Sequence, residues 1–413
     1  MRKTYIATAS LSFALLASPV FADDVIRIGV LATLKGAHTV LGEDAVRGVK
    51  VALEAQGNEI AGKTIELLIE PVSNTPESTL EGAQNLLAKD TRIILGPVSS
   101  AQGISLKEFS KTQPGATFIN GISGAVETTF VNPSENFFRF NTDNLQWSAG
   151  LGDYAFNAKD YKKVAIVAED YSFNHAQVMG FEKEFCSAGG EVVNRAWLEL
   201  GVRDFSKTVE TIPDDIDAVY LGLSGSSATR FVKTFNASGR KAGFIGSSIT
   251  FDGALIGANE KVKSSLVGMV SAGPQADNWG NENWQAYVSK YKDLFSPEER
   301  FTAPSILATG YHNAATAALT CIADVDADLS DNHAAFRQCL SGLEFEAPNG
   351  PVKLDENRQA IANNYVSEIV QQGDGSIAKK LVSIAQNVDQ TLGLGQEAFA
   401  KLGLPSRDNR VCE

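Results

Sequence analysis

Four cysteines, four histidines and three methionines among 413 residues leave little material for metal or thiol chemistry. Cys186, Cys321, Cys339 and Cys412 show no CxxC spacing and have no histidine neighbour, so no metal site is expected. His38, His175, His312 and His333 stand in no GxSxG or HExxH context, which speaks against a hydrolase. No GxGxxG follows the first apolar strand, so a nicotinamide nucleotide is not expected. Gly393-Leu394-Gly395 is a lone match and reads better as a loop. The chain has no basic cluster and a formal charge of −13, which excludes nucleic acid as the expected partner. No cofactor is called for, and the sequence has no low-complexity segment.

What is present is the composition of a globular chain with a full core, 44% hydrophobic and 21% charged. Residues 1–22 read as a secretory signal peptide. Arg2 and Lys3 precede an apolar stretch, and Val20-Phe21-Ala22 supplies a cleavage site. That stretch is shorter than the roughly 20 residues a membrane span needs. The mature chain is therefore expected to be exported, and export permits disulfides. Cys321 and Cys339 flank a short helix–loop–helix pattern and are the better candidates for a bridge. A Cys186–Cys412 pair stays open.

From residue 25 onward, apolar strands and helical patterns alternate. VIRIGVL (25–31), TIELLIE (64–70), RIIL (92–95) and ATFIN (116–120) read as buried strands, the first three each followed by a helical pattern and the last ending in Gly121-Ile122-Ser123-Gly124. The rhythm breaks at FRFNTDN (138–144) and restarts with KVAIVA (163–168), DAVYL (217–221) and GFIGS (243–247). It breaks again at Gly273-Pro274 and a third time at Pro348-Asn349-Gly350-Pro351. The pattern predicts an α/β protein with two tandem blocks of four to five parallel strands and right-handed crossovers.

One turn stands out. In ILGPVSS (94–100) a strand ends at Gly96-Pro97, and Ser99 and Ser100 open a helix. A helix start offers unpaired N–H groups and the positive end of a dipole, and so suits a carboxylate. Taken alone, the same residues fit an ordinary capped turn better.

The order and spacing of IRIGVL, the Ala61-Gly62-Lys63 turn, ILGPVSS, FINGISG, the Arg139…Asp143…Gln146 segment and VAIVAEDYSF together resemble a known family. It comprises the periplasmic solute-binding proteins of ABC importers, in the branched-chain amino-acid (leucine/isoleucine/valine) binding group. The resemblance implies two Rossmann-like parallel-sheet lobes joined by a three-segment hinge, the type I periplasmic binding protein fold. Residues 23–141 plus 274–348 would form the N-terminal lobe, residues 142–273 plus 349–385 the C-terminal lobe, and residues 386–413 a C-terminal extension. The implied function is that of a receptor without catalysis. It captures a small carboxylate-bearing solute by hinge closure and delivers it, as a monomer, to permease subunits in the inner membrane. A ligand-sensing module of the same fold is the alternative.

The resemblance also implies a site. Ser99 and Ser100 would hold the ligand carboxylate, aided by Ile122, Ser123 and Gly124, where Gly124 stands in place of a family threonine. Leu41 would line the first loop and Phe173 would cover the ligand, with Ser224 at a position where tyrosine is common. His38 and His175 fall in loops near the expected cleft, where a solvated or ligand-lining role outweighs that of general base. Ser248 stands where amino-acid binders place a carboxylate to neutralise the ligand ammonium. Burying an ammonium without a counter-charge is costly. Asp252 either replaces that acid or caps a helix. An aromatic acid or an amide or urea-like ligand therefore stands beside an amino acid as an expectation.

Overall fold

The computed structural model describes residues 25–36, 39–250 and 260–412. The expected signal peptide, His38 and Asp252 lie outside the described residues.

The first lobe is built on a six-stranded sheet. Its strands are β1 (Val25–Thr33), β2 (Glu59–Ile60), β3 (Lys63–Val72), β4 (Ile93–Leu95), β5 (Thr117–Ile119) and β6 (Phe137–Phe138), in the spatial order β2-β3-β1-β4-β5-β6. All neighbours are parallel except the short β2. Helices α1 (Thr39–Gln56), α2 (Pro76–Ala88), α3 (Ser100–Ser110) and α4 (Glu127–Phe130) connect them. The apolar strand runs end up fully covered: Ile28, Val30, Ile94, Leu95, Phe118 and Ile119 are all at most 1% exposed. Each such side chain contributes about 1.5–3 kcal/mol by leaving water.

The second lobe repeats the plan. Its helices are α5 (Leu151–Asn157), α6 (Ser172–Ser187), α7 (Ser206–Thr211), α8 (Gly225–Ala237) and α9 (Glu260–Leu266). Its strands β7 (Lys163–Glu169), β8 (Glu191–Leu198), β9 (Ala218–Gly222), β10 (Gly243–Gly246) and β11 (Val270–Gly273) are parallel, in the order β8-β7-β9-β10-β11. Five parallel strands in the order 2-1-3-4-5 thus occur in both lobes, as the tandem α/β pattern predicts.

After β11 the chain returns to the first lobe as α10 (Glu282–Leu294), α11 (Ile306–Asp324) and α12 (Ala334–Gly342). A Cβ on Gly48 of α1 would stand 2.0 Å from the Ala308 carbonyl oxygen. Glycine is what lets α1 and α11 lie backbone to backbone. Cys321 of α11 bridges Cys339 of α12, the expected pair, and Cys186 bridges Cys412. The chain then re-enters the second sheet through four antiparallel strands, β12 (Phe345–Ala347), β13 (Gly350–Leu354), β14 (Ala360–Gln371) and β15 (Ile377–Val388). The connection between lobes is therefore made three times.

Two boundaries differ from expectation. Strand β12 pairs with β13 in the second sheet, although residues 274–348 were assigned to the first lobe. Strand β15 runs to Val388, past the limit set at residue 385, because its register with β14 continues to Ala362↔Val388. Last comes α13 (Gln396–Leu402). Among the described residues no helix is long and apolar enough to cross a membrane.

Candidate functional site

In an open parallel sheet of order 2-1-3-4-5, the crevice lies at the carboxyl ends of the strands, where the order reverses between the first and third. In the first lobe that point falls between β1 and β4, and in the second between β7 and β9. The chain segments leaving these strands carry Leu41, Ser99 and Ser100 in one lobe, and Phe173 and Ser224 in the other. The fold thus carries to the switch points residues that lie far apart in sequence, Ser99 being 58 and Ser224 183 positions after Leu41.

The turn after β4 is both capped and available. Gln102 of α3 accepts a hydrogen bond from the Ser99 N–H at 2.9 Å and donates to the Ser73 carbonyl at 2.8 Å. The N-cap reading of Ser99 therefore holds in the backbone. Ser99 and Ser100 both remain half-buried, and the Ser100 hydroxyl accepts from Asn144 Nδ2 at 3.3 Å. On the adjoining turn, the Ile122 and Ser123 N–H groups both donate to the Pro97 carbonyl, at 3.1 and 3.3 Å. Of the three expected donors there, Gly124 is the one whose N–H is not spent on Pro97.

Ser123 does not offer its hydroxyl to the crevice. The residue is fully buried, and its Oγ would lie 1.8 Å from a Cβ built on Gly103 of α3, so it faces the helix. Ile122 is likewise turned inward, into the core of the first lobe. At Gly124 a Cβ would stand 2.0 Å from Asn144 Oδ1. The Asn144 side chain fills the volume that a threonine there would need, which accounts for the glycine.

Asn144 and Gln177 are the residues that sequence reasoning missed. Asn144 sits on the first connection between lobes, and its N–H donates to the Gly124 carbonyl at 2.9 Å. Its carbonyl accepts from Gln177 Nε2 at 2.6 Å, and Gln177 Oε1 accepts from the Ser248 N–H at 3.0 Å. A chain of amides thus runs from Ser100 in the first lobe to Ser248 in the second. The only sequence signals for it were the broken rhythm at residues 138–144 and a glutamine on the buried face of a helix.

The second wall, among the described residues, is aromatic. Phe173 stacks on Tyr171 with ring centres 5.9 Å apart and meets Trp147 edge-on at 6.1 Å. Phe173 also packs against the hydrophobic core of the first lobe, as Leu41 and Val98 do. Ser224 is the half-buried N-cap of α8. The Ser248 hydroxyl is buried without a hydrogen-bond partner, and residues 247–250 contain no acid. His175 is held by Asp170 at 2.8 Å and by an edge-on contact with Trp197.

Behind the first wall lies a buried polar network. Arg139 donates to the Ala125 carbonyl at 2.7 Å and to Thr129 Oγ1 at 2.6 Å, lies 3.5 Å from Asp143 Oδ2, and also bonds Gln359. Burial draws the guanidinium down to about 10, although Asp143 opposes the shift. Burial likewise pushes the Asp143 carboxyl upward against the pull of Arg139. Gln359 donates to Gln146, which donates to the Ala360 and Val388 carbonyls. This network ties the first connection between lobes to the third.

Comparison with known proteins agrees with this architecture. A curated relative, "Leu/Ile/Val-binding protein homolog 6" of Brucella melitensis, is 24% identical over 383 residues, covering 90% of this chain and 94% of that protein. The structure of an ABC transporter substrate-binding protein from Sphaerobacter thermophilus is similar at a TM-score of 0.80 and 24% identity, covering 89% of this chain and 99% of the other. A solute-binding protein of an ABC transporter from Rhodopseudomonas palustris, solved with 3,4-dihydroxybenzoic acid, is similar at a TM-score of 0.75 and 21% identity, over 89% of this chain and 99% of the other. The model of the periplasmic binding protein family matches residues 25–374, and the chain belongs to that family.

Proposed function

We propose that this protein is the extracytoplasmic receptor of an ABC importer, capturing a small carboxylate-bearing solute between its lobes. One observation carries the reading. At the switch point of the first lobe, Ser100 opens the eleven-residue helix α3 and is linked through Asn144 to the turn that carries Gly124, so a helix N-terminus, a hydroxyl and a second turn come from two chain segments. Such donors suit an anion. The ligand acts by binding the closed arrangement of lobes better than the open one, and that difference in affinity is what a permease reads. The leader at residues 1–22 delivers the chain to the periplasm, where it works as a monomer.

The second wall favours an aromatic carboxylate over a branched-chain amino acid. Tyr171, Phe173 and Trp147 offer ring faces and edges, while Ser248 offers no counter-charge to an ammonium. The Brucella relative is named for leucine, isoleucine and valine, and the Rhodopseudomonas structure holds a dihydroxybenzoate, so both chemistries enter the test.

A thermal-shift screen with L-leucine, 4-hydroxybenzoate, 3,4-dihydroxybenzoate and benzamide separates the classes. A ligand at 100 times its Kd adds about 2.7 kcal/mol of stability, a shift of several degrees. Stabilisation by the benzoates and not by leucine supports the aromatic reading. Stabilisation by leucine alone overturns it. Stabilisation by benzamide alone removes the carboxylate from the proposal, and hydrolysis of an ester or amide would replace the receptor with an enzyme.

A further inference from the structure

We propose that residues 389–412, after the last strand, form a strap that positions the walls of the cleft by fastening both lobes from behind. The inference rests on the receptor reading only in taking the cleft as the ligand site.

The strap is anchored to the second lobe at several points. Cys412 is joined to Cys186 on α6, across 226 residues of sequence. Lys183 Nζ donates to the Leu392 carbonyl at 2.6 Å, and Arg407 pairs with Asp170 at 2.9 Å. It is anchored to the first lobe as well. Phe399 of α13 is 1% exposed and meets Phe130 of α4 edge-on, with ring centres 4.9 Å apart. Gln390 Nε2 shares its hydrogens among Asp143 Oδ2, Thr129 Oγ1 and the Val126 carbonyl, at 2.8, 3.0 and 3.2 Å.

The contacts form one apolar cluster of Val126, Leu145, Ala176, Met179 and Phe399, with Leu392, Leu402 and Val411 packed against it. Its members are sequence neighbours of the candidate site. Val126 lies two residues beyond Gly124, Leu145 follows Asn144, and Ala176 precedes Gln177. The strap therefore covers the reverse side of three segments whose other side carries the Ser100–Asn144–Gln177 relay. A hinge motion that separates α4 from α6 has to slide or break the Phe399–Phe130 contact. The disulfide keeps the released end close by, so that contact re-forms as an intramolecular event.

The test uses the full chain with Phe399→Ala, and separately a C186S/C412S double variant. Cys321→Ser with Cys339→Ser serves as a control in the first lobe. Hydrogen exchange is followed at residues 122–131, 142–148 and 172–180 without ligand. The strap predicts exchange faster by about tenfold or more at all three segments in both variants, with β1 and β3 unchanged, and no such effect in the control. Faster exchange confined to residues 389–412 overturns it. A general loss of protection including β1 and β3 in the disulfide variant assigns that bridge to overall stability, and Phe399→Ala then decides alone. Titration of each variant with 4-hydroxybenzoate and L-leucine adds the functional readout: affinity for whichever binds the wild type falls roughly fivefold or more. If neither binds the wild type, the ligand proposal fails, while the exchange result still decides the strap.

Discussion

The two walls of the cleft come from lobes with the same strand order, yet they are made of different chemistry. The first wall is a set of hydroxyls and backbone donors at the start of α3, beside a segment after β5 whose Ala125 carbonyl and Thr129 hydroxyl a buried Arg139 holds. The second is a stack of rings and a serine turn whose described residues 247–250 carry no acid, held by the amide of Gln177. The same topology supplies the position of a site in both, but side chains decide what each position can hold. An asymmetric pair of walls suits an asymmetric ligand, charged at one end and apolar at the other.

The largest expected effect concerns what holds the first wall. Arg139→Met leaves the fully buried Asp143 without its counter-ion and frees the Ala125 carbonyl and Thr129 hydroxyl. Breaking one partner of a buried pair costs about 3–5 kcal/mol. Urea unfolding would register it. A cost under about 1 kcal/mol would mean that the network does not brace the wall.

Two buried clusters, one in each lobe, are also expected to respond to acid with opposite sign. In the first lobe, burial draws His312 down to about 4, and burial with Arg337 nearby draws His333 to about 4. Between about pH 6.5 and 4 the unfolded chain binds protons that the folded lobe refuses, so stability falls as pH falls. At pH 5 each histidine costs about 2 kcal/mol. In the second lobe, burial raises the carboxyls of Glu182 and Glu184. Their protonation on acidification relieves the folded state, so stability rises as pH falls through their raised values. Hydrogen exchange at pH 7.5 and 5, corrected for intrinsic rates, should show α11 and α12 loosening before α6. Loosening of α6 first would reverse the comparison.

Ser100→Ala removes a side-chain donor from the first wall. A hydrogen bond to a charged group is worth about 1.5–3 kcal/mol, so carboxylate affinity should fall roughly 10- to 100-fold. Calorimetric titration with the ligand found by the screen measures it. Unchanged affinity would move the carboxylate off this wall and leave the turn as a cap.

The fold was far more legible than the site. Strand and helix alternation, the three breaks and the apolar runs all survive in the structure, because they depend on periodicity and on continuous burial. What sequence could not carry was the direction of individual side chains. Ser123 reads as a hydroxyl donor on a turn, yet packs against Gly103 because the chain after β5 folds inward under α3. Asn144 reads as part of an irregular segment, yet it sits beside Ser100 and Gly124 through contacts 44 and 20 residues away. The Cys186–Cys412 pair was likewise undecidable from spacing, since a 226-residue separation says nothing about proximity. β12 joins the second sheet through its partner strand, while its own Ala347 packs in the core of the first lobe, and sequence alone does not carry that division.

The smallest expected effect tests the second wall. The Ser248 hydroxyl is buried and unpartnered, so Ser248→Ala removes a polar group that gains nothing in the folded state. Stability should change by less than about 1 kcal/mol, in the favourable direction. An aromatic acid, whose ring meets Phe173 and Tyr171 and whose carboxylate meets the first wall, should bind the variant as it binds the wild type. An amino acid would feel the change if the hydroxyl were its ammonium's partner, since a buried ammonium that loses a hydrogen bond costs about 1–3 kcal/mol. Ser248→Glu sharpens the contrast: a carboxylate beside the Gln177 amide repels a second anionic or π-rich group and attracts an ammonium. If Ser248→Glu weakens 4-hydroxybenzoate and strengthens leucine, the turn after β10 is where this chain tells the two ligand classes apart. If both affinities hold, the discrimination lies with the rings of the second wall instead.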